Sequence, residues 1–116
     1  MDETIKDISM NYYFSKCKET AIYPDIGNNF TYVLLGLLGE CGELSNIWKK
    51  KIRDNKDIMS DEIRNKLIYE LGDIGWYFVM CCFELNINPS EVLEKNIKKL
   101  ADRKERNTLT GYGDNR

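Results

Sequence analysis

Two stretches of this chain, 30–52 and 61–85, repeat apolar residues at the 3.6-residue period of an α-helix for about six turns each, without a proline. Few folds other than a helical bundle accommodate two such segments in a chain of 116 residues. The first stretch places Phe30, Val33, Leu34, Leu37, Leu38, Leu44 and Ile47 at helical spacing. Asn28 or Asn29 offers an N-cap, and Lys49, Lys50, Lys51 and Arg53 close the helix as its dipole favours. A polar loop at 54–59 leads to Ser60, a second N-cap, followed by Asp61 and Glu62. Asn88-Pro89-Ser90-Glu91 reads as N-cap, proline at the first helical position and an acid at the third, opening a further helix to about Glu105. Before these, residues 3–20 read as a helix with Ile5, Ile8, Tyr12 and Cys17 on its inner side, ended by the turn around Pro24 and Gly27. Strand signals are missing. The expectation is an all-α bundle of four main helices, one domain over 1–116 with an irregular tail from about 107 to 116.

Composition narrows the chemistry. There is no histidine, which removes serine and cysteine triads, histidine-ligated zinc and haem, and the Glu-x-x-His pattern of di-iron bundles. Seventeen basic residues against nineteen acidic ones leave a formal net charge of −2, so nucleic acid is not an expected partner. The longest apolar runs, 32–39 and 74–83, are about half the length of a membrane helix, so no membrane association is expected. The acidic start, with Asp2, Glu3 and Asp7, lacks the layout of a signal peptide. Cys17, Cys41, Cys81 and Cys82 show no Cys-x-x-Cys spacing and read as buried reduced thiols of a cytoplasmic protein.

The anomaly lies inside the two long apolar stripes. The stripe through Val33, Leu37, Leu44 and Ile47 includes Glu40, with Glu43 adjoining; that through Ile63, Leu67, Ile74 and Tyr77 includes Glu70, with Asp73 adjoining. Both pairs fall mid-helix, where neither serves as a dipole partner. A single pair would read as boundary residues, or as ion pairs with Lys50 or Lys66. Two matching pairs converge if the helices pack antiparallel, and four partly buried carboxylates then need a cation among them. Oxygen donors alone select Mg²⁺, with Mn²⁺ as a substitute, over zinc or copper. Magnesium keeps waters and favours phosphate-bearing substrates, which points to phosphate transfer or hydrolysis.

Gly39-Glu40-Cys41-Gly42-Glu43-Leu44 followed by Glu70-Leu71-Gly72-Asp73 resembles the E-x-x-E … E-x-x-D signature of the MazG-like all-α nucleoside triphosphate pyrophosphohydrolases. Asn96-Ile97-Lys98-Lys99-Leu100 with Arg103 is similar to that family's N-x-x-K-L-x-x-R segment, and Gly111-Tyr112-Gly113-Asp114-Asn115-Arg116 to the tail of short bacterial and phage members. Gly39 stands where some members carry an additional Glu proposed as the base; this form resembles the dCTP pyrophosphatases.

The resemblance implies Mg²⁺-dependent hydrolysis of a nucleoside triphosphate to monophosphate and pyrophosphate by a metal-activated water. It implies Glu40, Glu43, Glu70 and Asp73 as metal ligands; Gly39 leaves the base unassigned, and Glu43 is the candidate among these carboxylates to orient the water. Asn96, Lys99 and Arg103 would meet the phosphates, with Lys49 or Lys50 beside them. It further implies a homodimer or homotetramer whose protomers complete the bundle together. Trp48, one turn past the acidic motif, is the candidate to stack on the base, while Trp76, Tyr77 and Tyr32 read as core aromatics. Gly36, Gly39, Gly42, Gly72 and Gly75 near the acids suggest close helix approach or room for substrate. Two other readings compete: a redox carboxylate-metal protein, against which the missing histidines weigh, and an inactive helical interaction module that retains a divalent-metal site.

Overall fold

In the computed structural model, which describes residues 6–54 and 58–106, four α-helices follow one another: α1 (Met10–Glu19), α2 (Phe30–Arg53), α3 (Asp61–Glu84) and α4 (Pro89–Glu105). No strand occurs among the described residues. The tail motif from Gly111 to Arg116 and the first five residues lie outside them. No described helix is long and apolar enough to cross a membrane.

The caps explain the boundaries. Asn29 and Ser60 accept the backbone N–H groups of Tyr32 and Ile63, at 3.2 Å each, and Asn88 takes that of Ser90 at 2.8 Å. Each satisfies one of the donors that a helix start leaves without an intrahelical partner. The first helix departs from the sequence expectation. It begins at Met10, not Glu3, because Ser9 caps it by accepting the Tyr12 N–H at 3.1 Å. Its inner side is Tyr13, Phe14 and Cys17, whereas Ile8 and Tyr12 are each about half exposed. Packing of α1 against α3 and α4 turns Tyr13, Phe14 and Cys17 toward the core.

α2 and α3, 24 residues each, form a long antiparallel hairpin. At its open end α1 and α4 wrap the second half of α3, and the core of Cys17, Tyr23, Val33, Val79, Met80 and Cys82 is there. Among the described residues, the loop end of the hairpin is α2 and α3 alone. All four cysteines are unbridged; Cys17 and Cys82 are buried, but Cys41 is exposed, against the expectation that all are covered.

Two local features hold the helices in register. At Gly36 the ring of Tyr77 lies against the backbone: a Cβ built there would meet Cζ at 2.5 Å and Cδ1 at 2.6 Å, with Cε1 nearer still. Only glycine permits that approach. At the open end the Glu84 carboxylate accepts hydrogen bonds from Tyr23 Oη and Gly27 N, each at 2.6 Å, and from Asn29 N. It thereby ties the last turn of α3 to the start of α2 across more than fifty residues of chain, through a turn whose Gly27 (φ 93°) and Asp25 (φ 54°) adopt positive φ. Burial works to raise the Glu84 pKa, but the hydrogen bonds from Tyr23, Asn29 and Gly27 prevail and hold it below the usual carboxylate value.

Candidate active site

Glu40 stands near the middle of α2 and faces the middle of α3, where Glu70 and Asp73 occupy successive turns. One oxygen from each of these three carboxylates lies within 4.8 Å of the others. Glu40 and Glu70 are half-buried and Asp73 is exposed. Glu70 Oε2 is buried without a hydrogen-bond partner. The Glu40 pKa is pushed up to about 7, first by its carboxyl–carboxylate hydrogen bond with Glu70, then by burial, then by the charges of Asp73, Glu70 and Glu43. Like charges this close disfavour full ionisation, so without a counter-ion Glu40 holds its proton well above the usual carboxylate range.

That is the pattern a divalent cation relieves. The donor set is all oxygen, three acids meet, and one buried oxygen has nothing to bind. The residues therefore fit a hard divalent metal. Glu43, the fourth expected ligand, is exposed one turn further along α2; its charge acts on Glu40, but its oxygens lie outside the group of three.

A hollow of about 330 Å³ opens beside the acids, walled by Thr20, Glu40, Asp73, Trp76 and Tyr77. It adjoins a second, of about 370 Å³, which shares Thr20, Trp76 and Tyr77 and adds Ile22, Tyr23, Pro24 and Tyr32. The aromatic walls are braced. Trp76 Nε1 donates to Thr20 Oγ1 at 2.8 Å, and the Trp76 and Tyr77 rings meet edge-on with centroids 5.0 Å apart. Tyr23 and Tyr32 stack at 5.1 Å, 15° from parallel.

The remaining candidates scatter. Trp48 is half-buried about 12 Å along α2 from Glu40 and lines neither hollow. Lys49 is exposed, and Lys50 lines a separate hollow near the loop end. Asn96, Lys99 and Arg103 ride on α4, which packs on α1 and α3 and makes no contact with α2. None of the three lines the acidic hollow, and Arg103 is buried, 3% exposed. The residues that sequence reasoning set aside are Thr20, Trp76 and Tyr77. A signal for two of them was present: Trp76 and Tyr77 follow Asp73 by three and four positions, which puts them one turn along α3 on the acidic side.

Comparison with known proteins adds to this geometry. A family model described as the MazG nucleotide pyrophosphohydrolase domain matches residues 28–108, which include both acidic pairs. The "Gene 37 protein" of Mycobacterium phage L5 is 38% identical over 112 residues, covering 92% of this chain and 98% of that protein. No solved structure matches.

Proposed function

The chain belongs to the MazG nucleotide pyrophosphohydrolase family, and from that premise we propose that it hydrolyses a nucleoside triphosphate to the monophosphate and pyrophosphate with Mg²⁺ as cofactor. The observation that carries the proposal is the convergence of Glu40, Glu70 and Asp73 around the partnerless Glu70 Oε2, at the edge of an aromatic-walled hollow.

In this reading Glu40, Glu70 and Asp73 hold the cation, with Glu43 alongside. When bound, a divalent ion would screen the phosphate charge and acidify a coordinated water. The protein's own groups supply the rest. Glu43, open to solvent beside the three, is placed to accept the proton of the attacking water. Trp76 and Tyr77 receive the nucleoside end, the indole held in orientation by its hydrogen bond to Thr20. No covalent nucleophile is required.

Association into a homodimer or homotetramer is part of the same proposal. On the side of α2 away from the acids, Leu34, Leu38, Cys41, Ser45, Trp48 and Ile52 recur at alternating spacings of four and three, the pattern of a helix–helix seam. Leu38 is 59% and Ile52 56% exposed, and Leu71 of α3 continues the apolar surface on that side. A second copy laying the same face against it would bury the seam and give Trp48 a structural role.

The test is a panel of the common ribo- and deoxyribonucleoside triphosphates with Mg²⁺, then Mn²⁺, with products separated. Monophosphate with equimolar pyrophosphate is expected. Diphosphate with phosphate would overturn the assigned bond, and no turnover with any member would favour the inactive metal-binding module.

A further inference from the structure

Beyond the acids, toward the loop end of the hairpin, a third hollow of about 310 Å³ is walled by Ile47, Lys50, Lys51, Asp54, Ile63 and Lys66. It lies in series with the other two. Lys66 precedes Glu70 by one helical turn, about 6 Å along the α3 axis, while Tyr77 follows Glu70 by about 10 Å in the opposite direction. Helical phase puts Lys50 and Lys66 on the same side of the hairpin as Glu43 and Asp73. The order along that side is therefore aromatic, acidic, basic.

The charges of the third hollow are available to a ligand. Lys50 and Lys51 have no ion-pair partner among the described residues. Lys66 pairs with Glu62 at 3.4 Å through side chains that are mostly exposed, a contact of little energy. Asp54 is engaged by Arg53 Nε at 3.3 Å. The α2 dipole accounts for cations at Lys50 and Lys51, but Lys66 lies past the first turn of α3, where no helix dipole accounts for it. Ile47 and Ile63 form an apolar floor that lowers the local dielectric beneath the ammonium groups.

We infer that the hollow of Lys50, Lys51 and Lys66 is an anion subsite for the terminal phosphates of the substrate, and that it sets the direction in which the substrate lies. The nucleoside points toward Trp76 and Tyr77, the reacting phosphate faces Glu40, Glu70 and Asp73, and the distal phosphates extend toward the loop end. The direction rests on the proposed pyrophosphohydrolase reading; the anion subsite rests on the lysines alone. A nucleoside diphosphate, one phosphate shorter, reaches these lysines less well than a triphosphate, and released pyrophosphate competes for them.

The experiment measures binding of inorganic pyrophosphate with Mg²⁺ by calorimetry at low salt, for the wild type, Lys51→Ala/Lys66→Ala, Lys51→Arg/Lys66→Arg and Lys95→Ala. The double alanine variant is expected to bind at least about tenfold more weakly, the loss of one to two charge-assisted contacts. The double arginine variant is expected to stay within about threefold of wild type, and Lys95→Ala, on α4, to match it. Circular dichroism confirms that each variant is folded. Unchanged affinity in the double alanine variant, an equal loss in Lys95→Ala, or no pyrophosphate binding by the wild type overturns the subsite. Lysine-dependent binding without turnover of any nucleotide would leave the subsite standing and remove the proposed activity. With turnover, the double alanine loss is expected in KM for the triphosphate; a loss confined to kcat overturns the direction.

Discussion

Replacing Gly36 by alanine tests whether the Tyr77 ring sets the shape of the site. An alanine methyl would meet Tyr77 Cζ at 2.5 Å and Cδ1 at 2.6 Å, against about 3.5–4.0 Å for ordinary carbon contact, so the ring must retreat by about 1 Å or more. Overpacking of this kind costs about 1–3 kcal/mol, while alanine in place of glycine inside a helix returns about 1 kcal/mol. The net loss of stability is then at most about 2 kcal/mol, or roughly 8 °C in Tm for a domain of this size. The functional loss should be larger. Tyr77 walls both the acidic and the aromatic hollow, and a misplacement of this order at a reacting centre can cost about a hundredfold. Thermal unfolding and steady-state kinetics on one preparation separate the two effects. The expected result is a folded, helical protein with a modest fall in Tm and kcat/KM reduced at least about tenfold. Gly36→Ala/Tyr77→Leu, which removes the colliding ring atoms, should regain the stability without the activity. A Gly36→Ala protein more stable than wild type, with kcat/KM within twofold, would refute the reasoning from ring to site.

Three further outcomes follow from the geometry. Glu70→Gln removes one of the converging charges, so the metal-free protein should gain about 1 kcal/mol in urea unfolding while losing the Tm rise expected of the wild type with Mg²⁺ or Mn²⁺; an undiminished metal-induced rise would remove Glu70 from the ligand set. Glu84→Gln should cost about 2 kcal/mol near neutral pH, since an amide cannot accept from Tyr23, Gly27 and Asn29 together. Because the folded Glu84 pKa is depressed, its contribution is fully present above about 4.5 and lost as pH falls through the lower folded value, so the two proteins should converge in acid; a gap that persists there would show that the lost contacts do not depend on charge. Leu38→Asp, on the exposed seam, should shift the sedimentation profile to a monomer without lowering helicity; an unchanged oligomer would place the interface elsewhere.

How much of this was legible beforehand divides by range. The starts of α2, α3 and α4 follow from Asn29, Ser60 and Asn88-Pro89, whose capping is decided within three residues. The meeting of Glu40 with Glu70 and Asp73 follows from their place inside apolar stripes, because burying the stripes brings the acids along. The start of α1 departs from the expectation for a local reason: the pattern through Ile8 and Tyr12 runs across Ser9, whose side chain caps the helix at Met10. The other departures are tertiary. Nothing near Glu84 in the chain announces that its carboxylate fastens residues 27 and 29. Trp76 and Tyr77 read equally as core or as site wall, and they are both, since a ring packed on one side can line a hollow with the other. The position of α4, apart from α2, depends on its packing against α1 and α3 and leaves no mark in the spacing of Asn96, Lys99 and Arg103.

The Glu84 clamp makes the α2–α3 hairpin a closed loop mechanically. Three hydrogen bonds fasten Glu84, in the last turn of α3, to the turn that leads into α2, so α3 cannot slide along α2 at that end without breaking them. Between the two ends the Tyr77 ring against Gly36 is a further fastening, and Glu40, Glu70 and Asp73 converge close to it. A divalent cation held there would join α2 to α3 between the fastened ends, through Glu40 on one helix and Glu70 and Asp73 on the other.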